Sequence, residues 1–156
     1  MNNFPEPNLE NMGGYSRFNF IPNYQVESFS PTANTINTAL VLKSGAVWFI
    51  GAAVFKSLSL EEKTVATAAG DLYKYEFSGV YPGQSAPISE LFDEMKAQPL
   101  VIDVEDNNGQ RRLLGNTKNP CKFSFAFKSK ETPSGRPEYT FSFTWESPKP
   151  APFYAP

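Results

Sequence analysis

Hydrophobic and polar residues alternate with period two along much of this chain. Tyr73, Tyr75 and Phe77 fall on one side and Lys74, Glu76 and Ser78 on the other, the pattern of a strand buried on one face. Phe123, Phe125 and Phe127 repeat the device, as do Tyr139, Phe141, Phe143 and Trp145 against Thr140, Ser142, Thr144 and Glu146. The last two runs, joined by Glu131 to Glu138, read as a long-looped antiparallel hairpin with an aromatic inner face. A second hairpin is predicted from Leu100 to Val104 and Arg111 to Leu114 around Asp106-Asn107-Asn108-Gly109, because Asn and Gly tolerate the positive φ that such turns need. Further strands are expected at Tyr15 to Ile21, Leu40 to Leu42 and Val47 to Phe55.

One segment breaks the period. Ile88, Leu91, Phe92 and Met95 have i, i+3, i+4, i+7 spacing, with Ser85 placed to cap, Pro87 in the first turn, Glu90 early and Pro99 as the stop. This predicts one amphipathic helix over about residues 86–97 whose stripe packs on the sheet. A second helix is expected from Leu58 to Ala68, on Glu61-Glu62-Lys63 and a weak period, with Gly70-Asp71 as the following turn. The fold class expected is mainly β, an antiparallel β-sandwich or barrel with one flanking α-helix.

The ends differ from the middle. Residues 1–12 hold two prolines and few apolar residues and read as an extended arm with nothing of its own to bury. Residues 147–156 are punctuated by proline, yet carry Phe153-Tyr154, an odd pair to leave in water. They read as a frayed tail or as a strap docked on this domain or a neighbour. Between them, residues 13–146 form a single domain. Deleting Met1 to Met12 or Ser147 to Pro156 is expected to leave that domain folded and to impair assembly.

Composition narrows the chemistry. The 156 residues contain no histidine and one cysteine. That excludes Ser-His-Asp and Cys-His catalysis, histidine-based metal sites, an intramolecular disulfide and thiolate metal clusters. The 16 acidic against 14 basic residues, scattered singly, argue against tight electrostatic binding of nucleic acid. No apolar run approaches the roughly 18 residues of a membrane span, and the N-terminus lacks the basic and apolar regions of a signal peptide. The expectation is a protein made in the cytoplasm, without cofactor and without enzymatic activity.

Few residues offer chemistry. Asp103, Glu105 and Asp106 could form a carboxylate pair or a weak divalent-cation site, although the calcium-loop spacing fails; the plainer reading is a solvated strand face and turn. Gly13-Gly14 lacks any phosphate-loop pattern and reads as a hinge. Cys121, before an aromatic strand, reads as a small buried thiol. Arg111-Arg112 puts one guanidinium on each strand face, and one of them can pair with Asp103 or Glu105 across the hairpin. Trp48, Tyr81 and Trp145 would stack on sugar rings if the chain were instead a β-sandwich module binding carbohydrate or a cell surface.

The order of these elements is informative: strands, one helix, a hairpin ending Arg112-Leu113-Leu114-Gly115, a closing aromatic hairpin with Gly135 in its loop, then a Pro/aromatic tail. Over Tyr15 to Tyr154 this resembles structural proteins of bacteriophage and prophage tails, and more loosely the tail-tube family. The resemblance implies a non-enzymatic virion component of the tail or neck (tube, terminator or connector) that assembles with itself into rings, hexameric in tail tubes, and with other tail proteins. DNA would be met only in passing through a lumen. Contacts between subunits would come from the arms and the long loop, here Phe4, Pro133, Gly135, Arg136, Phe153 and Tyr154. The resemblance is not carried by a tail-tube sequence signature.

Overall fold

The aromatic alternation builds two sheets that face each other across a core of rings. In a computed structural model, residues 1–5, 15–28, 34–54, 56–106, 109–129 and 135–156 are described, with the backbone alone at 15–17. Residues 6–12 of the arm, Gly13-Gly14, Asn107-Asn108 and Pro133 lie outside the described residues. The strands are β1 (Tyr15–Pro22), β2 (Val26–Ser28), β3 (Thr35–Ile36), β4 (Val41–Leu42), β5 (Phe49–Val54), β6 (Ser59–Thr67), β7 (Gly70–Pro82), β8 (Leu100–Glu105), β9 (Arg111–Leu114), β10 (Lys122–Lys128), β11 (Glu138–Ser147) and β12 (Phe153–Tyr154). The helix α1 spans Ala86–Ala97, as its spacing predicts.

One sheet has six strands in the order β3-β12-β9-β8-β1-β5, and the other has four, β10-β11-β7-β6. A small pair, β2-β4, stands apart. All pairings are antiparallel except β12 on β3. Neither sheet closes into a barrel, so the sandwich is the architecture the pattern reaches. Among the described residues no helix is long and apolar enough to cross a membrane.

The main core lies between the two sheets and α1. Ile88, Leu91, Phe92 and Met95 are all buried, so the helical stripe is core. The Phe92 ring meets Phe123, Tyr139 and Phe141 edge-on or tilted, geometries that the ring quadrupole favours. A second, smaller cluster of Ile21, Val26, Ile36, Leu40, Val101, Leu113 and Tyr154 lies on the opposite face of the six-stranded sheet. That sheet is therefore covered on both faces, which explains why β8 is buried at its first five positions rather than alternating.

Two expectations are corrected here. Leu58 to Ala68 is no helix: Ser59–Thr67 is β6, turned by Ala68-Ala69 into β7, with Thr67 opposite Gly70. Gly70 takes φ +118 there, a conformation side chains resist. Thr64, Val65 and Thr67 suit a strand, and nine paired positions along β7 outweigh the helix propensity of Glu61-Glu62-Lys63. At its described residues 1–5 the N-terminal segment is no arm with nothing to bury, and residues 147–156 take the second of their two readings, a strap docked on this domain. Phe4 is 5% exposed at the centre of the core, against the rings of Phe18, Phe20, Tyr81, Phe92 and Phe141. β12 is an interior strand, parallel to β3 and antiparallel to β9.

Candidate functional site

The carboxylates singled out in the β8-β9 hairpin have structural partners. Asp103 is buried, accepts from Arg111 Nε at 3.1 Å and from Asn19 Nδ2 at 3.2 Å, and forms an ion pair with Arg111 Nη2. Its burial corrects the solvated reading of this face. The hydrogen bonds to Asp103 push the Arg111 guanidinium further above its ordinary range. Asp106 closes the turn, its Oδ1 accepting the Gln110 N–H at 2.9 Å. Among the described residues no three His, Cys, Asp or Glu side chains are grouped to hold a metal ion, so Asp103, Glu105 and Asp106 are not brought together as a cation site.

The two arginines instead clamp the two aromatics of the tail. Phe153 lies opposite Arg112 in the ladder. The Arg112 guanidinium lies 4.6 Å from the Phe153 ring centre, and that of Arg111 lies 4.7 Å from the ring centre of Tyr154. These are cation–π distances. Arg112 also reaches across to the other sheet, 2.9 Å from Glu62 on β6. Tyr154 is buried, and its hydroxyl accepts the Leu40 N–H at 3.3 Å. Further up the strap, the Ala151 N–H donates to the Tyr75 hydroxyl at 2.7 Å. Each doublet, Arg111-Arg112 and Phe153-Tyr154, is visible in the sequence. Their one-to-one match is the signal by which the strap's docking on its own domain could have been read.

An open cleft of about 510 Å³ lies where the sheets diverge, lined by Leu58, Leu60, Phe77 and Val104 and by Lys56, Glu62, Glu105 and Arg112. Its charges are of mixed sign, and Glu62 is already paired. Burial pushes Tyr75 up to about 12 and raises Tyr81 and Cys121 as well. Each of these groups is thereby harder to deprotonate, the reverse of what a nucleophile or general base needs. Cys121 is wholly buried, as its place before β10 suggested.

No family model, curated protein or solved structure matches the chain. Function therefore has to be read from surfaces. Of the residues expected to meet a neighbour, Phe4 and Tyr154 are buried inside this chain, and Phe153 is 38% exposed beneath Arg112. Gly135 is half-buried and Arg136 exposed where the β10-β11 loop returns. Tyr81 and Trp145 are buried and Trp48 is half-buried against the smaller cluster, so these three do not present the aromatic strip expected of a sugar-binding face.

The open feature is the four-stranded sheet. β6 is exposed at all nine positions, and among the described residues no strand pairs with the outer side of β6 or of β10. The sheet's free face is mostly polar, interrupted by Val65, Leu72, Val80 and Ala126, and its charges balance: Lys63, Lys74, Lys122 and Lys128 against Glu61, Glu76, Glu138 and Glu146.

Proposed function

We propose that this chain is a non-enzymatic structural protein that assembles with itself into rings through the edges of its four-stranded sheet, as a tail or neck component of a phage virion. The observation that carries the reading is the pair of open edges. Exposed backbone N–H and C=O groups along a strand are a template for another strand. Because the sheet has four strands, each antiparallel to the next, its edge strands β6 and β10 run in opposite directions. A copy placed alongside without being flipped therefore offers β10 antiparallel to β6, the pairing already used throughout this sheet. Such a head-to-tail contact closes into a ring or winds into an open helix.

The layers support one orientation. The six-stranded sheet and α1 cover one side of the four-stranded sheet, so in a closed ring the uncovered polar side faces the lumen. Four lysines against four glutamates leave that face without the excess of positive charge that holds DNA, which suits passage rather than binding.

The test is negative-stain electron microscopy with light scattering over a concentration series. Rings or tubes are expected. Particles of 17.4 kDa at every concentration would count against the reading.

A further inference from the structure

The four-stranded sheet carries its own ruler. Ser124, Ser142, Ser78 and Ser59 lie directly opposite one another, strand by strand, from one open edge to the other. Two neighbouring Oγ pairs in the row are 2.9 and 3.0 Å apart. The row marks the direction perpendicular to the strands, so any register between copies can be counted from it.

Resting on the ring reading above, we propose that β6 pairs with β10 of a second copy in the register that sets Glu61 opposite Lys128, with Lys63 opposite Ala126 and Val65 opposite Ser124. Three independent constraints select it. The first is hydrogen-bond parity. Thr67 and Gly70 flank a two-residue turn, so the odd residues of β6 bond to β7 and the even ones point outward. On β10, Cys121 exchanges both backbone bonds with Leu100 outside the sheet, which makes Phe123, Phe125 and Phe127 the outward-pointing positions. Even residues must then meet odd ones, and every single-residue slip is forbidden.

The second constraint is tilt. Setting Ser59 opposite Ser124 would leave the strands of a closed ring untilted, whereas closed barrels tilt by about 35–45°. The proposed register is displaced six residues from that, about 20 Å of rise over four strands spanning about 19 Å, a tilt of about 45°. The third is charge and overlap. A displacement of two residues sets Lys63 against Lys122, and one of four sets Val65 against Lys122, with no opposite charges facing. Displacements of four and six both use all seven residues of β10, and only that of six sets opposite charges face to face, Glu61 on Lys128.

Disulfide trapping reads this register directly. Within one chain residues 63 and 126 lie three strands across and six residues along from each other, about 24 Å, too far for a bridge, and Cys121 is buried. The variant with Lys63→Cys and Ala126→Cys should give a covalent ladder up to the ring size on mild oxidation. Lys63→Cys paired with Ser124→Cys or with Lys122→Cys should give less than one-tenth of it. A ladder from either of these pairs instead would overturn the register and leave the ring standing. Rings seen by microscopy with no ladder from any pair would overturn β6-β10 pairing itself. If reduced protein forms no rings, the ring reading falls and takes the register with it.

Discussion

The six-stranded and four-stranded sheets share one aromatic core and treat their edges in opposite ways. In the six-stranded sheet the chain's own ends do the closing. Asn3 and Phe4 bond to Ile50 on the outer side of β5, the Phe4 N–H donating at 2.9 Å and the Asn3 side chain accepting at 2.9 Å. At the other side the strap lays β12 between β9 and a two-residue β3. The four-stranded sheet is long, mostly polar on its free face and open at both edges among the described residues. Edges left open on a soluble sheet are an aggregation hazard unless something is meant to bind them. The contrast separates a scaffold completed within the subunit from a surface that, on the reading proposed above, a second copy completes.

The strongest way to break this contrast is to remove the strap. Deleting Ser147–Pro156 takes an interior strand from the six-stranded sheet, strips Tyr154 from the smaller cluster and frees both arginines from their rings. With β12 placed inside the sheet, the deletion is expected to abolish the cooperative thermal transition followed by circular dichroism, rather than leave the domain folded as the sequence alone implied. A soluble product with an unshifted Tm would show that β12 contributes nothing and that the ends are arms after all. Phe4→Ala sharpens the same point with one side chain. A buried Phe truncated to Ala typically costs about 3–5 kcal/mol, and Phe4 touches five rings. Phe127, 40% exposed on the open edge, should cost under about 1 kcal/mol when truncated. Urea unfolding at constant m measures both, and equal effects would erase the distinction between the sheets.

The sequence shows the sandwich where burial is one-sided and loses it elsewhere. β7, β10 and β11 alternate because one face meets the core and the other water, and the β10-β11 hairpin lies in the register the pattern implies, Phe123 opposite Phe143. β6 has no such period because neither face is covered, so only its pairing with β7 identifies it as a strand. Asp103 is hidden for the opposite reason. It sits in a strand covered on both faces, where a lone carboxylate reads as solvated until its Arg111 partner is placed. Phe4 is separated from the rings it meets by long stretches of chain, and no local pattern reports such a contact. The open edges, which carry the functional reading, are a property of topology, and strand order is not written in periodicity.

The mildest test probes the joint between the two sheets. Tyr75 belongs to the four-stranded sheet, and its hydroxyl accepts the N–H of Ala151 in the strap that completes the other. Burial, reinforced by the nearby Glu62 carboxylate, raises its pKa to about 12 from 10.0. As pH climbs through 10 the unfolded chain loses this proton while the folded chain keeps it, so the contribution to stability is intact below pH 10 and declines until about pH 12. Tyr75→Phe removes the acceptor and should cost about 1–3 kcal/mol at neutral pH through the unpaired Ala151 N–H. Because the variant has no phenol to ionise at this position, the gap between it and the natural protein should narrow from pH 10 to 12, measured as urea midpoints. A gap that stays constant across that window would mean that the phenol is not held protonated by the fold.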